Sequence, residues 1–459
     1  MSDYQEFLFK KSQIENNLGF EPVFIPDFLF DFQKKIVEWS VLKGRGAIFA
    51  DCGLGKSPMQ LVWAENIVRK TNKNVLLLTP IAVGQQMEQE AKKFGIEVGR
   101  SRNGEIKGKI TITNYEQLHK YNPNDFEAVV CDESGILKNF DGKTKHEVNM
   151  FMRKIPYRLL ATATAAPNDF IELGNSSEVL GELGYMDMLG KFFKNDQNNC
   201  ATNLRGRFTE ATKWRLKGHA HDMFWRWITS WSRAIRKPSD LGFDDSNYML
   251  PILETRETEL KIIGRRAEGR LFASEAKGLK EQREETRETL TQRCEVSADI
   301  ANDYDDFSVI WCNLNDEGDM LEKLIKDSVQ VSGKDTDESK EEKLIAFSKG
   351  QIKKLVIKPK IGAWGLNWQH CNHMVYMPTH SYEQYYQAIR RSWRFGQKRD
   401  VFVDLVYTQG NKGVIENLNR KNIQAEEMFA NLVKEMNNSI KIEKDKKFNK
   451  NMEVAKWLM

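Results

Sequence analysis

Short apolar runs alternate with amphipathic stretches over about residues 28–165 of the chain. Strands are predicted at the apolar runs 47–50, 75–79, 109–113, 128–131 and 158–162. Helices are predicted between them, at 57–70 and 85–94. Strands that alternate with helices indicate a parallel, doubly wound sheet, and an unbroken run such as LLL at 76–78 is typical of a parallel strand covered on both faces.

The alternation is predicted to stop after about residue 170 and to return near Ser308. The intervening stretch is expected to be rich in helix, and 265–295 is predicted to form a charged, solvated helix with ion pairs four residues apart. Later strands are predicted at 308–312, 354–358, 374–377 and 401–407. Later helices are predicted at 316–326 and 382–391, and after 413, before a stretch rich in Lys and Asn.

These patterns predict an α/β protein with two parallel-sheet lobes. Lobe 1 is expected at 20–170 and lobe 2 at 301–412. A helical insertion is expected at 171–300, and a C-terminal helix and tail at 413–459. The length of 459 residues agrees with two or three domains.

Composition restricts the class of protein without identifying its partner. Hydrophobic residues make up 40% and charged residues 29% of the chain, an ordinary balance for a soluble globular protein. The formal charge of +4 neither requires nor forbids a polyanionic partner. The six cysteines form no CxxC pair, and no apolar stretch approaches the length of a membrane span. We therefore expect reduced thiols, a cytoplasmic location and no membrane partner.

A glycine-rich turn, ADCGLGKS at 50–57, follows the first predicted strand and precedes a predicted helix. Glycines let backbone N–H groups wrap phosphates closely, and the helix N-terminus adds partial positive charge. Although GLGKS alone could be a chance helix cap, the strand–turn–helix context predicts a P-loop for ATP. The Lys56 ammonium is expected to reach the β- and γ-phosphates and the Ser57 hydroxyl to bind Mg²⁺. The candidate ATP-binding residues of the turn are Asp51, Cys52, Gly53, Leu54, Gly55, Lys56 and Ser57.

Two acids, Asp132 and Glu133, end the strand predicted at 128–131. A magnesium-dependent ATPase needs one carboxylate to hold the metal and another to orient and deprotonate the attacking water. Asp132 is the candidate metal ligand and Glu133 the candidate base. The alternative is an ordinary acidic turn exposed to solvent, which the upstream P-loop makes less attractive.

Two arginines, Arg391 and Arg394, lie three residues apart near the end of lobe 2. That spacing places both guanidiniums on one face of a helix. Arginine is permanently charged and presents a planar fork, which suits the oxygens of a γ-phosphate. The alternative is a basic helix surface without a catalytic role.

The order and spacing of these motifs resemble the superfamily-two helicases, most closely the Swi/Snf-like branch. The matching segments start with LFDFQ (29–33), similar to the glutamine motif, and ADCGLGKS, similar to motif I. They continue with VLLLTPIAVGQQMEQE (75–90), ITITNYEQL (110–118), CDESGILKN (131–139) and LLATATAAPND (159–169), similar to motifs Ia, Ib, II and III. They end with VIWCNLND (309–316), KPKIGAWGLNW (358–368) and QAIRRSWRFGQ (387–397), similar to motifs IV, V and VI. The short chain and the segments KWRLKGHAHD and RKPSDLG resemble the compact helicases of bacteriophages and prophages.

This resemblance implies two RecA-like lobes that use ATP and Mg²⁺. It assigns Lys56 and Glu133 of lobe 1 to catalysis, together with Arg391 and Arg394 of lobe 2 as arginine fingers. Gln33 takes the position that reads adenine, and Gly365 of motif V is a further candidate ATP-binding residue. Thr162 and Thr164 of motif III are implied to couple ATP hydrolysis to movement along nucleic acid, which is contacted mainly through its phosphates.

The sequence departs from the family pattern in three motifs. Motif II reads DESG and lacks a final His or Asp, which puts that residue's coupling role in doubt. Motif III has Ala163 where glycine is usual. Motif V begins with Lys358 and Pro359 instead of Ser-Thr, so its phosphate contact is expected to be ionic instead of hydroxyl-based.

A stretch rich in Trp, Lys and Arg at 201–237 occupies the place of the helical protrusions of the Swi/Snf-like branch. It is expected either to grip DNA, with phosphate contacts and base stacking, or to form a small helical core around Trp225, Trp227 and Trp231. Both can hold at once.

The sequence thus predicts a monomeric, DNA-stimulated ATPase that translocates on duplex or branched DNA during phage-type replication, recombination or repair. Its expected location is the cytoplasm of a bacterium or of a phage-infected host. One rival is an RNA-directed helicase of the same superfamily. Two others are a P-loop ATPase or kinase unrelated to nucleic acid, and a DNA-binding scaffold that does not hydrolyse ATP.

Overall fold

The computed structural model describes residues 17–139, 141–195, 214–246, 248–261, 279–362 and 366–457. Its chain divides into two units. The described residues up to Asp245, together with those from Gln424 onwards, form lobe 1. Lobe 2 is Ser246–Ile423. The boundary between the lobes therefore falls inside the stretch that we expected to be an insertion, and lobe 1 is built from both ends of the chain.

Lobe 1 contains a seven-stranded sheet in which all neighbouring strands are parallel. Its strands are β1 Arg45–Ala50, β2 Asn74–Thr79, β3 Gly99–Arg100, β4 Ile110–Asn114, β5 Phe126–Asp132, β6 Tyr157–Thr162 and β9 Ser232–Ile235. A separate antiparallel pair consists of β7 Phe193–Asn195 and β8 Trp214–Leu216. Across the sheet the order is β3-β4-β2-β5-β6-β1-β9. Since parallel strands end at the same edge, the residues that follow β1, β5, β6 and β9 come together there.

Helices cover both faces of this sheet. They are α1 Asp31–Lys43, α2 Lys56–Thr71, α3 Gly84–Lys93, α4 Lys143–Met152, α5 Leu173–Leu180, α6 Tyr185–Phe192 and α7 His221–Trp231. Leu76, Leu77 and Leu78 of β2 are all fully buried, as a strand covered on both faces requires. The helix α2 ends where Asn72 adopts a left-handed conformation and its N–H donates to the carbonyl of Val68.

Trp225, Trp227 and Trp231 of α7 are buried in the core of lobe 1. Trp227 stacks on Phe192 with 5.2 Å between ring centroids. Phe170 meets Trp225 edge to face at 5.1 Å. The core-packing alternative therefore holds for these tryptophans, and the part of the basic stretch at 201–213 lies outside the described residues.

Lobe 2 contains a six-stranded parallel sheet with the order β10-β15-β14-β11-β13-β12. Its strands are β10 Leu253–Leu260, β11 Ser308–Trp311, β12 Ser328–Val331, β13 Lys354–Ile357, β14 His373–Tyr376 and β15 Val401–Thr408. The helices are α8 Leu279–Glu288, α9 Leu290–Asn302, α10 Asn315–Leu324, α11 Asp337–Ser348, α12 Pro359–Gly362, α13 Tyr382–Ile389 and the beginning of α14 Lys412–Trp457. Val309 and Ile310 belong to different hydrophobic cores, one on each face of the sheet.

The predicted fold class, α/β with two RecA-like lobes built on parallel sheets, is confirmed. The expectation that the α/β alternation stops over 171–300 is wrong, because two strands of that stretch belong to the parallel sheets of the lobes. β9 extends the sheet of lobe 1 beside β1, and β10 forms the edge of the sheet of lobe 2 beside β15. β9 has only four residues, and β10 reads LETRETEL because an exposed edge strand needs few apolar side chains. One helix is expected at 265–295, but from residue 279 onwards, where the structure describes this stretch, there are two helices, α8 and α9.

The helix α14 begins in lobe 2 and belongs to lobe 1 from Gln424 onwards. In lobe 2 it buries Val414 and Ile415, and in lobe 1 it buries Met428 and Phe429. The last element of the chain is therefore a structural part of both lobes. In the described part of the chain, no helix combines the length and the apolar character needed to cross a bilayer.

Candidate nucleotide-binding site

The glycine-rich turn after β1 has the backbone of a phosphate-binding loop. Gly53 and Gly55 have φ of 89° and 75°, in the left-handed region that glycine adopts without strain. A Cβ at Gly55 would also lie 2.3 Å from the Nε2 of Gln33. The helix α2 starts at Lys56, directly after this turn, so its N-terminal N–H groups point at the turn. The left-handed backbone therefore favours glycine at position 55, and a side chain there would also displace the amide of Gln33.

Asp51 fixes the start of the turn through its backbone and its carboxylate. Its N–H donates to the carbonyl of Ile235, the last residue of β9, at 2.9 Å. Its Oδ1 accepts from the N–H of Cys52 at 2.6 Å. Its carbonyl accepts from the N–H of Leu54 at 3.4 Å. The neighbouring strand and the turn itself therefore hold Asp51 in place.

The side chain of Lys56 lies back over the turn. Its Nζ donates to the carbonyls of Ala50 at 3.0 Å and Asp51 at 3.4 Å. Ser57 follows as the second residue of α2, and Pro58 is tolerated after it because the first turn of a helix has no intrahelical acceptors for its N–H groups. An ammonium and a hydroxyl are thus placed together at the N-terminus of a helix.

Gln33 of α1 is in contact with the same turn. Its Nε2 donates to the carbonyl of Leu54 at 2.9 Å, and its Oε1 accepts from the N–H of Phe30 at 3.0 Å. The side chain is 4% exposed. The structure therefore brings together the glutamine motif and motif I, which are separate in the sequence.

Asp132 lies at the end of β5 and is buried. Gln60 of α2 donates from Nε2 to its Oδ1 at 2.7 Å, and the Tyr115 hydroxyl donates to its backbone carbonyl at 2.6 Å. Burial, reinforced by the neighbouring Glu133 charge, raises the pKa of the Asp132 carboxyl to about 7. A cation beside this carboxylate would favour its charged form, so the side chain suits a Mg²⁺ ligand.

Glu133 has a left-handed backbone, with φ of 48° and ψ of 50°. Such a conformation is costly for a residue with a Cβ and is found often at functional sites. The Thr162 hydroxyl at the end of β6 donates to its Oε2 at 3.5 Å, and the N–H of Thr164 donates to the Thr162 hydroxyl at 3.1 Å. Motif III is therefore bonded to the candidate base within lobe 1.

Arg391 and Arg394 of lobe 2 both donate from Nη1 to the carbonyl of Leu366, at 3.0 and 3.1 Å. Arg391 is 2% exposed, and its Nη2 also donates to the Oε1 of Gln387 at 2.7 Å. The expectation that one helix face carries both arginines is wrong, because α13 ends at Ile389 and the chain continues in turns. The two guanidiniums still converge on one carbonyl.

Motif V is described in part. The Nζ of Lys358 lies 2.5 Å from the Oδ1 of Asn315 in motif IV, directly before α12. Trp368 is fully buried, and its ring centroid lies 5.8 Å from that of Trp311. The candidate nucleotide contact Gly365 lies outside the described residues.

Two contacts of this site were not predicted from the sequence. Gln60 lies one helical turn after Lys56, and a polar residue among the apolar positions of a helix is the signal that could have identified it. The bond from Asp51 to Ile235 depends on β9 lying next to β1, and four residues with a single pair of apolar side chains carry no clear signal of that pairing.

The chain is similar to known proteins of the helicase type. Residues 293–396 match the family described as "Helicase conserved C-terminal domain". The chain is 22% identical over 449 residues to "Uncharacterized ATP-dependent helicase YqhH" of Bacillus subtilis, in an alignment covering 86% of this chain and 78% of the relative. Among solved structures it is similar to the Sulfolobus solfataricus SWI2/SNF2 ATPase core in complex with dsDNA, with a TM-score of 0.38 and 16% identity over 86% of this chain and 90% of that chain. Lobe 2 therefore contains a helicase C-terminal domain, and the chain is an ATP-hydrolysing enzyme of the helicase type.

Proposed function

We propose that this enzyme is a Mg²⁺-dependent DNA translocase of the Swi/Snf-like branch of superfamily two. The observation that carries the proposal is the group of side chains that lobe 1 brings together at the start of α2 and the end of β5. The glycine-rich turn is followed by α2, which begins with Lys56 and Ser57. Gln60 of α2 bonds to Asp132 of β5, the residue before Glu133. The rival kinase or unrelated ATPase needs no helicase C-terminal domain, yet lobe 2 contains one.

The residues of this site fit a magnesium–triphosphate complex. The turn offers backbone N–H groups and the Lys56 ammonium to phosphate oxygens, while Ser57 and Asp132 offer oxygens to a cation. Bound Mg²⁺ supplies positive charge to the phosphate oxygens during transfer. Gln33, bonded to the turn, is proposed to read the adenine edge.

Glu133 is proposed to orient the attacking water and to accept its proton. Its hydrogen bond from the Thr162 hydroxyl restrains the carboxylate. Arg391 and Arg394 are proposed to stabilise the charge that develops on the γ-phosphate. The Lys56 ammonium leaves the carbonyls of Ala50 and Asp51 for a phosphate oxygen, which is a stronger acceptor because it is charged.

The choice of DNA is supported by the ordered motifs of the Swi/Snf-like type, including the Lys-Asn pair at 138–139 after motif II. The proposed contacts are phosphate contacts, to which Lys358 contributes an ammonium in place of a hydroxyl. The KWRLKGHAHD and RKPSDLG segments support a role in phage-type replication, recombination or repair. Translocation on duplex or branched DNA needs no strand separation, which is a distinct activity.

The test compares ATP turnover with duplex DNA, branched DNA, single-stranded DNA and RNA at several salt concentrations. We expect the largest stimulation with duplex or branched DNA, and a decline of that stimulation as salt rises, because phosphate contacts release counterions. The Glu133→Gln variant measures the background rate. Stimulation by RNA alone would replace the DNA proposal with the RNA-directed alternative, and no stimulation by any nucleic acid would refute both.

A further inference from the structure

Lobe 1 contains a segment that the chain reaches only after lobe 2. Met428, Phe429 and Leu432 of α14 are at most 3% exposed and belong to the same hydrophobic core as Phe49 of β1. The motifs of the candidate site all lie before residue 400, so this segment has no place in them. Its burial shows that it is a component of the nucleotide-binding lobe.

Arg236 joins this segment to the strand beside the glycine-rich turn. Its guanidinium pairs with the carboxylate of Glu426, and its Cζ lies 4.5 Å from the ring centroid of Phe429. Its Nη2 also reaches the carbonyl of Ala425 at 3.5 Å. The Arg236 side chain is 23% exposed and the Glu426 side chain 57% exposed, so the pair lies at the surface of lobe 1 with its guanidinium partly covered.

Arg236 follows directly on Ile235, which holds the turn. Ile235 pairs with Ala50 in the register of β9 and β1, and its carbonyl accepts the N–H of Asp51 at 2.9 Å. The N–H of Arg236 donates to the carboxylate of Asp240 at 2.7 Å, which fixes the backbone on the other side. The carbonyl that holds Asp51 and the side chain held by α14 therefore belong to adjacent residues.

We propose that Arg236 is a positioning residue for the nucleotide. Its contacts with Glu426 and Phe429 hold the end of β9 against Asp51, and the turn thereby keeps the backbone conformation that binds a triphosphate. A binding site arranged in advance saves the cost of ordering it when the ligand binds. The inference rests on the proposed nucleotide site and adds to it a part of the chain outside the recognised motifs.

A second ion pair of the same segment serves as a matched control. The Nε of Arg226 lies 3.2 Å from the Oε2 of Glu435. Arg226 belongs to α7, whereas the carbonyl that accepts the N–H of Asp51 belongs to β9. If α14 only stabilises lobe 1, the pairs at Arg226 and at Arg236 should behave alike.

The experiment measures binding of a fluorescent ATP analogue with Mg²⁺ and without nucleic acid, and the thermal midpoint of each protein. We expect Arg236→Gln and Glu426→Gln to weaken nucleotide binding about fivefold, as for the loss of about one net hydrogen bond. Arg226→Gln should leave the affinity within about twofold. The double variant Arg236→Glu with Glu426→Arg should recover part of the affinity. Should Arg236→Gln not fold, Glu426→Gln carries the same test, since its side chain is 57% exposed.

Three different outcomes would each refute a different part of the proposal. Equal affinities for wild type and Glu426→Gln, with lowered thermal midpoints, would reduce α14 to a stabilising element and refute the positioning role. Equal losses of affinity in Arg226→Gln and Glu426→Gln would refute a specific role for the contact beside β9. If the wild type and Lys56→Ala bound the ATP analogue equally weakly, the proposed nucleotide site itself would be refuted.

Discussion

The carboxylates at the end of β5 in lobe 1 and the arginines after α13 in lobe 2 are held in different ways. Asp132 and Glu133 each receive a hydrogen bond from a side chain of another element, Gln60 and Thr162. The guanidiniums of Arg391 and Arg394 donate to a backbone carbonyl of their own lobe. The carboxylates are therefore positioned by side chains of lobe 1, whereas the arginines share a backbone carbonyl of lobe 2 and, in the proposed mechanism, would donate to phosphate oxygens instead.

We therefore expect the two lobes to control different steps, nucleotide binding in lobe 1 and turnover in lobe 2. Lobe 1 contains the turn, the ammonium and both acids, so nucleotide affinity should depend on lobe 1. The arginines are proposed to stabilise charge that develops during the reaction, so we expect them to affect turnover more than binding. Variants in each lobe therefore test the comparison directly.

The largest effect is expected at the turn. Lys56→Ala should abolish turnover and weaken ATP binding, because the ammonium that is proposed to reach the phosphates is lost. ATPase assays and nucleotide binding measure the two effects. The Lys56 ammonium donates to two carbonyls of its own turn, so we expect the variant to fold. An unchanged thermal midpoint would exclude misfolding as the cause of lost turnover. A variant with normal turnover would contradict the P-loop assignment.

The second effect concerns lobe 2. Arg394→Ala should lower kcat by about 10³-fold or more if Arg394 acts as an arginine finger, while nucleotide binding changes little. Arg394 is the better probe, because Arg391 is buried and its removal would also disturb lobe 2. Near-normal ATPase activity of Arg394→Ala would remove this residue from the mechanism.

A smaller effect is expected at Gln60. Gln60→Leu should raise the Mg²⁺ concentration needed for half-maximal turnover about tenfold, since residues that orient a metal ligand typically contribute that much to metal affinity. A magnesium titration of the ATPase rate provides the measurement.

Asn66→Leu is the control for Gln60→Leu. Asn66 is also buried on α2, and its side chain bonds to backbone groups of Val23, Phe24 and Val62 instead of to Asp132. Its magnesium dependence should match that of the wild type. A parallel shift in both variants would mean that the packing of α2, and not the bond to Asp132, sets magnesium affinity.

Local features of the site could be predicted from the sequence. GLGKS sits between a strand and a helix, and the DE pair ends an apolar run, so each element and its chemistry are contained in one short segment. The adenine-reading role that the family resemblance implies for Gln33 stays a prediction. The continuous apolar strands likewise indicated parallel sheets covered on both faces.

Contacts between distant segments could not be predicted in this way. The place of β9 beside β1 depends on pairing over almost two hundred residues, and its four residues carry little apolar signal. The end of α13 before Arg391 depends on turns that the local pattern does not distinguish from helix. The burial of Phe429 in lobe 1 depends on the return of the chain from lobe 2.

The central claim is that lobe 1 holds an ATPase site in which Glu133 is the base. The most direct measurement compares nucleotide affinity and ATP turnover of Glu133→Gln with those of the wild type in the presence of duplex DNA. We expect ATP binding close to that of the wild type and no measurable turnover, because the amide keeps the shape of the side chain and cannot accept the proton. Turnover at the wild-type rate would contradict it.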